Sequence, residues 1–122
     1  MPNTTNYDFG DVVLIEYTQT DQRTSEKRPA VIVSAETYNV SHIDIVAMPI
    51  TSQGHQVDHG AIEIHDWSGS GLLKKSYIKP ILGTYEREAV LKPLGKLDPR
   101  TRLALKKAIA GIFGFKQASS PT

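Results

Sequence analysis

The chain has 122 residues, a formal net charge of +1 and no cysteine, which fits one domain with a real core and excludes disulfides, thiol nucleophiles and cysteine-based zinc sites. With no polybasic arm, a polyanionic partner would have to be met by local clusters of cations. The polar start MPNTTNYDFG holds no apolar signal core and no stretch approaches ~20 apolar residues, so a soluble cytoplasmic protein without membrane contact is expected.

Residues 1–9 read as a flexible lead-in to a domain spanning 1–122. Gly10-Asp11 is a turn, and VVLIEY at 12–17 is a strand. TQTDQRTSEK at 18–27 is an exposed polar loop. Arg28 to Ser34 forms the second strand, built on the apolar run Ala30 to Val33. AETYNVS at 35–41 holds one helical turn or a loop. IDIVAMPIT at 43–51 is the third strand, and Pro49 points to an edge or a bulge. SQGHQVDHG at 52–60 is a second polar loop, and AIEIHD at 61–66 alternates as a strand. SGSG at 68–71 reads as flexible. A fifth strand lies around Tyr77 to Lys79, Thr84 to Arg87 is a connector or turn, and AVLKPLGKL at 89–97 is a last strand broken by Pro93.

The period then changes. Asp98 is a suitable N-cap, Pro99 suits the first turn, and Gly114 ends the helix. Leu103, Leu105, Ile109, Ile112 and Phe113 form its expected apolar stripe. Residues 116–122 read as a flexible tail. Short strands followed by one helix predict a mainly β (α+β) fold, a small, strongly bent β-barrel with a C-terminal helix. The third strand is apolar on both faces, which calls for a covering helix or a second subunit, and a homodimer is therefore expected.

Histidines and acids carry little chemistry here. His55 and His59 flank Asp58 in one loop, with His65 the nearest further ligand, a spacing that matches no strong zinc pattern. The acids are scattered singly, so no metal site and no cofactor is assigned. What remains is cations and hydroxyls. If strands two and three are antiparallel neighbours, Arg28 lies beside Thr51, and a guanidinium with a hydroxyl at one rim makes an anion site. A charged rim with no function is the competing reading.

GDVVLIEY from Gly10, KRPAVIVS from Lys27, MPITSQ from Met48, GLLKKSYIKP from Gly71 and LGKLDP from Leu94 occur in an order and spacing that resembles the MazF/PemK family of toxin endoribonucleases over about residues 9–113. The resemblance implies an SH3-like barrel that dimerises and cleaves single-stranded RNA such as mRNA without metal, inhibiting growth. It also implies a cognate antitoxin in the RNA groove, with DNA reached only indirectly through the antitoxin complex. Arg28 and Thr51 stand at the family's catalytic positions.

The residue types suit that chemistry. RNA carries its own nucleophile, the 2′-OH. Arg28 stays protonated, so it stabilises the charge built on the phosphoryl oxygens rather than acting as a base. Thr51 adds a hydrogen bond to the same oxygens. Some relatives carry an arginine and, two residues on, an aspartate in the fifth strand, used in proton transfer. This chain reads Lys79-Pro80-Ile81, so Glu26 and Lys79 become the candidates for that role, with Asp21 and His55 behind them. Lys27, Ser52, Gln53, Lys74, Lys75 and Ser76 are the candidate RNA-binding residues, and Trp67, Tyr77 and Tyr85 could stack bases. The missing acid also permits a different reading, a non-catalytic SH3-like barrel that binds an antitoxin or another protein target.

Overall fold

The computed structural model describes residues 6–18, 25–53 and 60–116. Among the described residues seven strands follow in chain order as β1 (Asp11–Thr18), β2 (Ser25–Ile32), β3 (Asp44–Thr51), β4 (Ile62–Glu63), β5 (Tyr77–Ile78), β6 (Gly83–Glu86) and β7 (Val90–Lys96). A one-turn helix α1 (Glu36–Asn39) follows β2, a 3-10 turn (Arg87–Ala89) precedes β7, and helix α2 (Pro99–Phe113) closes the described chain. The strands are antiparallel in the order β4-β5-β3-β2-β1-β7, with β6 also paired to β3. The sheet is strongly curved and is not closed by pairing between β4 and β7 among the described residues.

Alternation along the strands gives two cores. Val12, Val31, Met48 and Ile50 face one way and join Ile64, Ile78 and Leu105 under α2. Val13, Ile15, Ala30, Ile32, Ile45 and Ala47 face the other way and are enclosed with Tyr7 and Tyr85 packed against them. The two-sided burial of β3 is thus met inside one chain by the curl of the sheet and by α2. It does not by itself call for a second subunit.

Several expectations are corrected by pairing. Pro49 lies in a strand with partners on both sides. It sits where β3 changes partner from β6 (Asp44 to Ala47) to β5 (Ile50 and Thr51); its carbonyl accepts the Lys79 N–H at 2.9 Å, and the Lys79 carbonyl, which an N–H at 49 would have met, accepts from the Ile81 N–H at 2.7 Å instead. Pro93 does lie on an edge strand, beside register shifts at Leu91 and Leu94. Gly83–Glu86 is a strand rather than a connector, because it satisfies the edge of β3 that the short β5 leaves open. Strand β4 ends at Glu63, with one further bond from the Ile64 N–H to the Ser76 carbonyl (3.1 Å). Beyond it the His65 and Asp66 N–H groups donate to Thr101 Oγ1 (2.9 Å) and Asp98 Oδ1 (3.1 Å) at the start of α2.

The SGSG segment is a tight turn, not a flexible link. Asp66 Oδ1 accepts from the Gly69 N–H, and the Asp66 carbonyl accepts from the buried Ser70 hydroxyl at 2.7 Å. Gly71 has φ +88°, and a Cβ there would run into the Leu94 carbonyl of β7. Near the start of the chain, Tyr7 and Phe9 are tied down. The Tyr7 carbonyl accepts from buried Asn39 Nδ2 at 2.8 Å, and Phe9 packs on the core beneath α2.

In α2, Asp98 Oδ2 accepts from the Thr101 N–H at 3.0 Å, Pro99 opens the helix and Gly114 ends it in the left-handed conformation. The buried stripe is rotated from the expected one. Thr101 and Leu105 are buried, Ala104, Ala108 and Ile109 pack partly, and Leu103, Ile112 and Phe113 are exposed. The contact with the β4 end of the sheet selects the Thr101 row, and small alanines allow close approach there. No helix among the described residues is long and apolar enough to cross a membrane.

Candidate active site

Ala30 of β2 stands opposite Pro49 of β3. Running the same register outward brings Arg28 level with Thr51, and both line one groove of about 590 Å³. Pro29, with φ limited by its ring, lies in the wall between them and the apolar strand. Gln53 donates its backbone N–H to Thr51 Oγ1 at 3.1 Å. That bond uses an oxygen lone pair and leaves the hydroxyl hydrogen to point into the groove.

Arg28 is aimed by its neighbours. Its Nε and Nη2 both reach Glu26 Oε1 at 2.6 Å, and its guanidinium carbon lies 5.7 Å from the centre of the Tyr17 ring. Tyr17 stands opposite Glu26 across β1 and β2, and its hydroxyl donates to the same Glu26 oxygen at 3.4 Å. Glu26 and Arg28 share a strand face because they are two residues apart. The Arg28 side chain remains half exposed, with Nη1 and one Nη2 hydrogen outside the Glu26 contact.

The rest of the groove is mixed. Ser52 and Gln53 continue the Thr51 side, and Lys74 and Lys92 add positive charge. Leu14, Leu72 and Leu94 make an apolar wall, and Leu73 stands on the rim 94% exposed. Ser76 lines the groove but is buried, and its hydroxyl donates to the Lys74 carbonyl at 2.8 Å. It shapes the turn that carries Lys74. The groove can therefore take a chain with anionic groups on one side and flat or apolar groups on the other.

Not every expected residue converges. Lys27 is exposed on the opposite strand face from Arg28, level with Glu16, and does not line the groove. Lys75 is turned to Glu63 (3.5 Å) and to the Tyr77 ring, and the Glu63 charge, then Tyr77, raises its pKa. Lys79 lies in a smaller second groove, about 200 Å³, which it shares with Arg28. Trp67 packs against the main core. The loop residues Asp21, His55, Asp58 and His59 lie outside the described residues. Among the described residues no three His, Asp or Glu side chains converge.

Tyr17 and Lys92 belong to this region and are not evident from the sequence. Lys92 arrives through the pairing of β7 with β1, where it faces Leu14. Tyr17 comes in through the antiparallel pairing of β1 with β2, which sets it opposite Glu26.

A curved antiparallel sheet, one C-terminal helix and a cationic, hydroxyl-bearing groove beside the end of β3 define a small β protein suited to holding a phosphodiester or an acidic chain. Residues 8–113 match the family of PemK-like, MazF-like toxins of type II toxin-antitoxin systems, and the chain belongs to that family. Solved structures agree on the fold. An endoribonuclease in complex with its cognate antitoxin from a mycobacterial species superposes with a TM-score of 0.73 at 17% identity, over 93% of this chain and 99% of that one. A MazE-MazF structure from Deinococcus radiodurans gives 0.73 at 16% identity, over 92% and 100%. The Mycobacterium tuberculosis toxin MazF-mt6 gives 0.65 at 20% identity, over 86% and 99%. No curated protein matches the chain in sequence.

Proposed function

We propose that residues 1–122 form one toxin domain that cleaves single-stranded RNA, selectively by sequence and without a metal ion. The observation that carries the reading is that Arg28 and Thr51 line one groove, with Glu26 bound to Arg28. The 2′-OH attacks the adjacent phosphorus, the bond to the 5′-oxygen breaks, and the products are a 2′,3′-cyclic phosphate and a 5′-OH. Arg28 and the Thr51 hydroxyl stabilise the charge that develops on the phosphoryl oxygens. Glu26 uses Oε1 to hold Arg28 and takes the 2′-OH proton on Oε2. Lys79, on the other side of Arg28, gives a proton to the leaving oxygen. Lys74 and Lys92 hold the flanking phosphates, with Ser52 and Gln53 contacting the RNA beside Thr51.

Membership in the family supports a cellular setting for this activity. The protein acts in the cytoplasm as a homodimer on mRNA, inhibits growth, and is silenced by a cognate antitoxin that covers the same groove. Complexes with antitoxin are described for the mycobacterial endoribonuclease and for D. radiodurans MazF, and they support this extension. One observation favours a non-catalytic barrel instead. Ile81, half exposed, stands where some relatives carry the acid of the proton transfer.

Cleavage of a long single-stranded RNA in EDTA separates the two. Discrete cuts with 5′-OH ends, lost in Arg28→Ala, are expected. Wild-type protein that is folded, free of antitoxin and unable to cut would establish the binding module.

A further inference from the structure

Arg28 stands on a ridge between two grooves. The larger holds Thr51; the smaller opens on the other side, where Tyr17, Lys79 and Tyr85 surround a floor that includes Ile15 and Pro49. Besides Arg28 of β2, three independent segments supply its polar groups: Tyr17 from β1, Lys79 just after β5, and Tyr85 from β6. No carboxylate lines it among the described residues. At about 200 Å³ it lies below the roughly 300–1,000 Å³ of pockets for drug-sized ligands, and it suits one planar ring system rather than a whole nucleotide.

The two tyrosines are set for a flat ligand. Tyr17 is fixed by its hydroxyl bond to Glu26 and by the Arg28 guanidinium over its ring. Tyr85 lies back along its own strand over Gly83, where a Cβ would stand 3.0 Å from the tyrosine hydroxyl oxygen. Burial, then the nearby Tyr17, raises the Tyr85 phenol above its ordinary pKa, so it remains an uncharged ring with a donor at its tip. Both rings are only partly buried. A purely structural pair would not need a cavity between them and two cations at its mouth.

We propose that this second groove is the subsite for the base of the nucleotide adjoining the phosphate at Arg28, held by stacking on Tyr85 and Tyr17 while Lys79 keeps the backbone at its mouth. The inference rests on the RNA reading of the first groove and extends it across the Arg28 ridge. RNA then enters as a strand whose scissile phosphate sits on the ridge, with one neighbouring base inserted behind it.

The test uses binding, so it does not depend on cutting. A mixed-sequence 2′-O-methyl RNA, which lacks the free nucleophile, is made with scattered 2′-O-methyl-4-thiouridine and irradiated with the whole protein. Cross-links at Tyr17 or Tyr85 are expected, together with a roughly five- to hundredfold loss of affinity in Tyr85→Ala and near-normal affinity in Tyr85→Phe. Tyr85 touches the core, so the wild-type cross-link keeps the test decisive if Tyr85→Ala does not fold. Cross-links confined to residues 71–76, or no binding at all, would overturn the subsite. Tyrosine cross-links in a protein that cuts no RNA would keep the subsite and reject the nuclease, whereas cutting without them would do the reverse.

Discussion

Arg28 and Glu26, two residues apart on one face of β2, are joined through a single carboxylate oxygen that takes both Nε and Nη2 at 2.6 Å. The pair is about half exposed, and a surface ion pair adds little to stability, with a median of about 0–1 kcal/mol. Its value is directional. A guanidinium held along one edge presents its other edge to whatever lies in the groove. Pro29 restricts the backbone at the next position, so aim is set from both sides.

Glu26→Gln tests the two parts of that carboxylate's proposed role. Gln keeps an acceptor for Arg28 but cannot take a proton at neutral pH. We expect kcat for RNA cleavage to fall about 100-fold or more, with KM little changed and the acid limb of the pH–rate profile lost. Cleavage by Glu26→Gln at the wild-type rate would mean that Glu26 only positions Arg28.

Lys92 supplies charge without touching the catalytic pair. Lys92→Ala should weaken binding of uncleavable RNA to a similar extent for different sequences. The slope of log affinity against log salt should drop by roughly 0.7, the release expected for one phosphate contact on a single strand. Titrations at several salt concentrations read this directly. An unchanged slope would remove Lys92 from the RNA path.

What could be read in the sequence was local or followed from neighbouring strands. The Asp98-Pro99 start and the Gly114 stop of α2 are chemical signals that work within one turn. The meeting of Arg28 and Thr51 needed only that two consecutive strands pair antiparallel. Lys92 was hidden because β7 returns to β1 across most of the chain, with register shifts that no counting rule supplies. The SGSG turn does not show in the sequence because composition reports small residues and not their reason. Here Gly71 lets the turn backbone lie against Leu94 of β7, and Gly69 leaves room for the Asp66 carboxylate. Pro49 is a similar case, since an absent N–H marks an edge only where the facing carbonyl has no other donor, and here the Ile81 N–H serves the Lys79 carbonyl. The exposed Leu103, Ile112 and Phe113 show that periodicity finds a stripe but not which flank of it the sheet reaches.

Gly71→Ala should both destabilise the protein and damage the groove. The site combines φ +88° with backbone contact to Leu94, so an added methyl strains the turn and pushes out Leu72 to Lys74. A loss of more than about 1 kcal/mol is expected in urea unfolding, with weaker RNA binding. Gly111→Ala is the matched control. It sits in α2 with nothing within 4 Å of its Cβ position and should gain about 0.5–1 kcal/mol. Equal effects at the two positions would contradict the close approach at Gly71.

Asp98 makes stability depend on pH. Burial pushes its carboxyl up, but hydrogen bonds from the Thr101 side chain and N–H, from the Asp66 N–H and from its own N–H outweigh that and hold it below its ordinary value of 3.8. The ionised form is therefore favoured by folding. Its contribution is complete above the ordinary value and is lost as the pH falls below about 4 towards the lowered one. Asp98→Asn keeps one acceptor and removes the charge. At pH 7 the variant should be less stable, by no more than the ~0.5–2 kcal/mol that loss of a whole N-cap costs. The gap should close as both proteins are taken from pH 5 towards pH 2. Urea unfolding across that range gives both curves. A gap that stays constant would show that the cap at Asp98 works through shape alone, and that the acid sensitivity of the fold arises from other carboxylates.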